Sequence, residues 1–82
     1  MSGRYPPLTC ADVKRILTQL GFAPRPRGSG SHEQWVKDDE GQRWKVTVDC
    51  PKAPFRHDLT ASMARQAGVS RRAFYAALDR KA

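Results

Sequence analysis

The sequence holds no long apolar run, and no segment joins a basic face to a broad, bulky apolar one. The first absence argues against a transmembrane helix, the second against a helix lying in a membrane surface. Nothing resembles a secretion signal, so the expected location is the cytoplasm. Cysteine is scarce. Cys10 and Cys50 form no C-x-x-C pair, which favours free thiols in a reducing compartment over a disulfide. His32 and His57 show no recognised ligand spacing with either cysteine, so no metal site and no other cofactor is expected. Acidic residues number 8 against 15 lysines and arginines, a net charge of +7 on 82 residues. Such an excess makes a polyanion the first partner to consider. There is no internal repeat, and a hydrophobic fraction of 39% suits a single small domain over 1–82 with a modest core.

What is present reads in order. Residues 1–7 show no periodic pattern and end in Pro6-Pro7, which predicts a loose N-terminal arm. Thr9 has the character of an N-cap, with Asp12 as its acidic partner in the first turn. Val13, Ile16, Leu17 and Leu20 then put four apolar side chains on one helical face, and Gly21 stands where such a helix ends. The segment from Phe22 to Arg27 carries two prolines, which limits it to an edge strand or none. Two strands are predicted over Ser31–Lys37 and Arg43–Asp49, joined by a four-residue turn at Asp38-Asp39-Glu40-Gly41. Pairing Lys37 with Gln42 places Trp35 opposite Trp44, on the core face with Val46 and Val48. His32, Gln34, Arg43, Lys45 and Thr47 then share the open face, while Glu33 points inward. Beyond the prolines of 51–54, Asp58 is expected to cap a helix from Leu59 with Met63 and Ala67 on its inner side. Gly68 ends it, and Ser70 caps a last short helix bearing Phe74, Ala77 and Leu78. The fold class is α+β: a small antiparallel sheet of two or three strands, with helices on one face and a bare, basic opposite face.

The stretch Gly28-Ser29-Gly30-Ser31-His32 concentrates the chemistry. Glycine lets backbone approach a ligand closely, and serine offers hydroxyls to an anion. Histidine exchanges protons near neutrality. Arg25 and Arg27 stand just before this loop. Outside such a setting, a glycine-serine turn followed by a surface histidine is the plainer reading.

Four pieces in order carry a family resemblance. They are VKRILTQLGF over Val13–Phe22, Gly30-Ser31-His32, Lys45-Val46-Thr47-Val48, and LTASMARQAGVS over Leu59–Ser70. Together they resemble the HicA family of bacterial toxins, the small ribonucleases of two-gene toxin–antitoxin systems. The resemblance implies a fold similar to the double-stranded RNA-binding domain, metal-independent cleavage of mRNA, and silencing by a HicB-like antitoxin protein. It carries the family's histidine over to His32. Many members have a proline and a second histidine directly after the third strand. Here Asp49-Cys50-Pro51 follows instead, and His57 comes later.

RNA supplies its own nucleophile, the 2′-hydroxyl. A cleaving enzyme needs an acid/base group and cations for the phosphate. His32 is the candidate catalytic residue. Arg25, Arg27, Gly30, Ser31, Arg43 and Lys45 are the candidate RNA-binding residues. A second reading takes Ala64 to Arg72 as a helix-turn-helix of a DNA-binding regulator, with Arg71 and Arg72 on phosphates. A third is a non-catalytic RNA-binding module using the same basic face.

Overall fold

The computed structural model describes residues 5–25 and 32–79. Its centre is a hairpin of β2 (His32–Asp39) and β3 (Gln42–Asp49). Strand β1 (Ala23–Pro24) pairs antiparallel with the other side of β2, giving the order β1-β2-β3. The turn is tighter than the sequence predicts. Glu40 and Gly41 both take positive φ, 52° and 80°, the two-residue geometry whose twist matches the strands it joins. Because Glu40 accepts this conformation, the ladder closes as far as Asp39 and Gln42, and Lys37 stands opposite Trp44 rather than Gln42. The register is therefore two residues from the predicted one. A shift of two keeps every side chain on its face, so Trp35, Val46 and Val48 remain buried. Trp35 now faces Val46 instead of Trp44.

The helices are α1 (Cys10–Gln19), α2 (His57–Ala67) and α3 (Arg71–Ala76). Val13, Ile16 and Leu17 of α1, Met63, Ala64 and Ala67 of α2, and Phe74 of α3 join Trp35, Val46 and Val48 in one core. Thr9 and Asp12 form the expected capping box: the Thr9 hydroxyl accepts from Asp12 N at 3.0 Å, and Asp12 Oδ2 accepts from Thr9 N at 3.1 Å. Gly21 and Gly68 end α1 and α2 with φ of 97° and 79°. The start of α2 differs from expectation. Arg56 occupies the cap and His57 the first helical position, while Asp58 sits inside the first turn and accepts from Leu59 N at 2.9 Å. Ser70 caps α3 as expected, accepting from Ala73 N at 3.0 Å.

Glu33 does point to the core face, and two partners resolve the apparent conflict. Its carboxylate pairs with Lys14 of α1 at 3.1 Å and accepts from the Trp35 indole at 3.1 Å. It thus ties the helix to the sheet at the margin of the core. Cys10 and Cys50 are joined by a disulfide, their Cα atoms 5.3 Å apart. The expectation of free thiols is thereby corrected. Spacing along the chain says nothing of two residues that the fold brings together, one opening α1 and the other following β3. Leu8 and Phe55 are likewise buried together, exchanging backbone hydrogen bonds of 3.0 and 2.7 Å across an isolated bridge. Tyr5 lies against Tyr75, whose hydroxyl donates to the Pro6 carbonyl at 2.7 Å.

Candidate nucleic-acid interface

The helices cover one side of the sheet, and the other side is built in rows across the strands. Arg25 N donates to Gln34 O at 2.8 Å, so Gln34 turns its backbone groups toward β1. Its partner across the hairpin, Thr47, must then turn its own outward, and the Thr47 N–H is met by Gln66 Oε1 of α2 at 3.1 Å. Gln34 and Thr47 thus form a pair without mutual backbone hydrogen bonds, the kind whose side chains approach most closely. The Thr47 hydroxyl indeed donates to Gln34 Oε1 at 3.3 Å. Two residues further along, the same alternation applies to His32 and Asp49, and His32 Nε2 stands 3.3 Å from Asp49 Oδ2. The His32 side chain is 63% exposed and that of Asp49 only 18%.

The cations named from sequence are not all gathered here. Arg25 continues the row of Gln34 and Thr47, within about 8 Å of His32 by strand geometry. Lys45, opposite Val36, lies about 13 Å along β3 from Asp49 at the usual rise per residue. It is exposed and makes no ion pair among the described residues. Arg43 is a further turn of the pleat away, about 20 Å from Asp49, and it is engaged. Its Nε donates to Asp38 Oδ1 at 2.9 Å, with Nη2 at 3.4 Å from Oδ2. That hydrogen bonding, reinforced by the opposite charges, holds the Asp38 carboxyl below its ordinary range and raises the Arg43 guanidinium above its own. Arg27, Gly30 and Ser31 lie outside the described residues. Sequence puts them immediately before His32.

Asp49 is the residue that sequence reasoning missed. The predicted register set His32 opposite Thr47, and the two-residue turn moves Asp49 into that place. Positive φ at Glu40 was the missing signal, for a glutamate gives no hint of it. Among the described residues no group of three or more His, Cys, Asp or Glu is arranged to hold a metal ion, and no helix is long and apolar enough to cross a membrane.

These features define a small α+β domain whose helices shield one sheet face and whose other face is polar, cation-bearing and closed at one end by a histidine–carboxylate pair. The chain belongs to the HicA family of bacterial toxin–antitoxin toxins: the family model described as HicA toxin of bacterial toxin-antitoxin matches residues 10–69. No curated protein and no solved structure matches the chain.

Proposed function

We propose that the protein is a metal-independent endoribonuclease, the toxin of a cytoplasmic toxin–antitoxin pair, which cleaves mRNA with His32 as its acid/base group. The observation that carries this reading is the position of His32. It is exposed, at the end of the helix-free sheet face, with Arg25 in the neighbouring row and Lys45 further along. In the proposed reaction the 2′-oxygen attacks the adjacent phosphorus as its proton passes to the imidazole. The P–O5′ bond breaks, the leaving 5′-oxygen takes a proton from water, and a 2′,3′-cyclic phosphate remains at the 3′ end of the upstream fragment. Arg25 offsets the charge that gathers on the phosphoryl oxygens, and Lys45, further along the face, holds a neighbouring phosphate of the same RNA strand. Arg27, Gly30 and Ser31 are proposed to bind the same backbone. Arg43 is assigned a lesser part, because binding a phosphate competes with Asp38.

Purified protein should degrade a defined RNA in the presence of EDTA. His32→Ala should lower the rate by about 10²–10⁴ while leaving the circular dichroism unchanged. A folded His32→Ala variant that cleaves at the wild-type rate would remove His32 from the chemistry. Lys45→Ala should weaken binding to unrelated RNAs alike and reduce the slope of log affinity against log salt by about one unit.

A separately encoded, HicB-like antitoxin is proposed to silence the enzyme by covering this face. A partner of opposite charge associates quickly with a basic surface and occupies its phosphate sites. Hydrogen exchange should then slow along 32–37 and around Lys45. Protection confined to 64–78 would show that inhibition does not work by masking.

The DNA-binding alternative draws less support. Helix α3 is 6 residues long, Phe74 is in the core, and the Arg71 guanidinium lies 4.6 Å over the Tyr5 ring. Few side chains of that helix are left to read base edges.

A further inference from the structure

We infer that Asp49 is a positioning residue for His32: its carboxylate holds the imidazole through Nε2 and leaves Nδ1 to face the RNA. The inference rests on the ribonuclease reading, which gives that free nitrogen its task. A carboxylate oxygen only accepts hydrogen bonds. In this proposal the ring nitrogen 3.3 Å from Asp49 Oδ2 is the one that bears the N–H, which assigns the lone pair of the neutral ring to Nδ1. A general base must present such a lone pair to the proton it removes. When the proton of the 2′-hydroxyl arrives on Nδ1, the ring becomes a cation with Asp49 already beside it.

The asymmetry of the pair supports this division of labour. His32 is 63% exposed and has little packing to fix its ring. Asp49 is 18% exposed, at the end of a paired strand, and precedes Cys50, whose disulfide ties the chain to α1. The exposed group thus leans on the anchored one. The other Asp49 oxygen, Oδ1, is buried and meets no hydrogen-bond partner among the described residues, so none of these competes with His32 for the carboxylate.

The test compares wild type with Asp49→Asn and Asp49→Glu, by steady-state cleavage of a short RNA and by imidazole ¹⁵N–¹H correlation spectra without RNA. Wild-type His32 should be protonated on Nε2 in its neutral form. Asparagine can present either an acceptor or a donor, so its variant should show a mixed His32 signal. Its kcat should fall about tenfold or more with KM within about twofold of wild type. Glutamate should restore part of the rate. A wild-type ring protonated on Nδ1 overturns the inference. So does an Asn variant that keeps its kcat, or one that loses kcat while its His32 spectrum stays unchanged. If wild type cleaves no RNA, the ribonuclease reading fails, whereas the wild-type spectrum and its change in Asp49→Asn still report separately on the His32–Asp49 pairing.

Discussion

At the scale of single residues, Gly68 shows how two demands can meet at one position. Its φ of 79° is in the left-handed region, and a Cβ built there would stand 2.7 Å from Cζ3 and 2.9 Å from Cη2 of Trp44. Any side chain must strain the backbone and also push an indole out of place. Gly68→Ala should therefore lower stability by about 2–3 kcal/mol, read as a fall in the urea midpoint at constant slope. Gly41 also has positive φ but has nothing within 4 Å of its would-be Cβ. Gly41→Ala should cost only about 1 kcal/mol, the backbone share alone. Alternation of side chains along a strand was enough to place His32 on the open face and Val46 and Val48 in the core. The partner of His32 was not readable, because it depends on the conformation of Glu40 at the far end of the hairpin. Glu33 looked misplaced from sequence only because Lys14 and the Trp35 indole, its two partners, are invisible to a pattern of apolar and polar letters.

At the scale of elements, α1 and its cap were the most legible part of the chain, since every signal there is local. Thr9→Ala should remove the reciprocal cap and lower stability by about 1 kcal/mol, measured by thermal or urea unfolding. The link between α1 and β2 adds a pH dependence. The hydrogen bond from Lys14, and then that from Trp35, holds the Glu33 carboxyl below the usual carboxylate range. A depressed carboxyl stabilises the fold above its unfolded-state value, about 4.3. That contribution is lost as pH falls through the lower, folded value. Glu33→Gln should thus be less stable than wild type at neutral pH, and the two should converge once pH has fallen past the depressed folded value. The pair is open to solvent, so the gap should stay under about 1 kcal/mol. Coincident unfolding curves at pH 7 would show that Glu33 adds nothing. The first turn of α2 was misread for a physical reason: Asp58 bonds to the adjacent Leu59 N–H rather than across a turn, so an acidic residue near a helix start need not be its cap.

At the scale of the whole molecule, the order of helix, sheet and helices followed from periodicity, as did the basic balance. Long-range closures did not. The Cys10–Cys50 disulfide, the Leu8–Phe55 bridge and the reach of Gln66 to Thr47 each join residues far apart in sequence. The last of these bears on how copies of the protein behave in company. β3 is the outer strand of its sheet, and Val46-Thr47-Val48 is β-branched throughout. A free edge of that composition is a template on which another chain can add a strand and begin an insoluble assembly. Gln66 stops one outward N–H from taking part, with an amide that is itself polar and carried on a helix. Gln66→Ala should leave the isolated fold close to wild type. In concentrated solution, held just below its melting temperature, it should scatter light sooner than wild type. Equal lag times would mean that α2 guards the edge by its bulk alone.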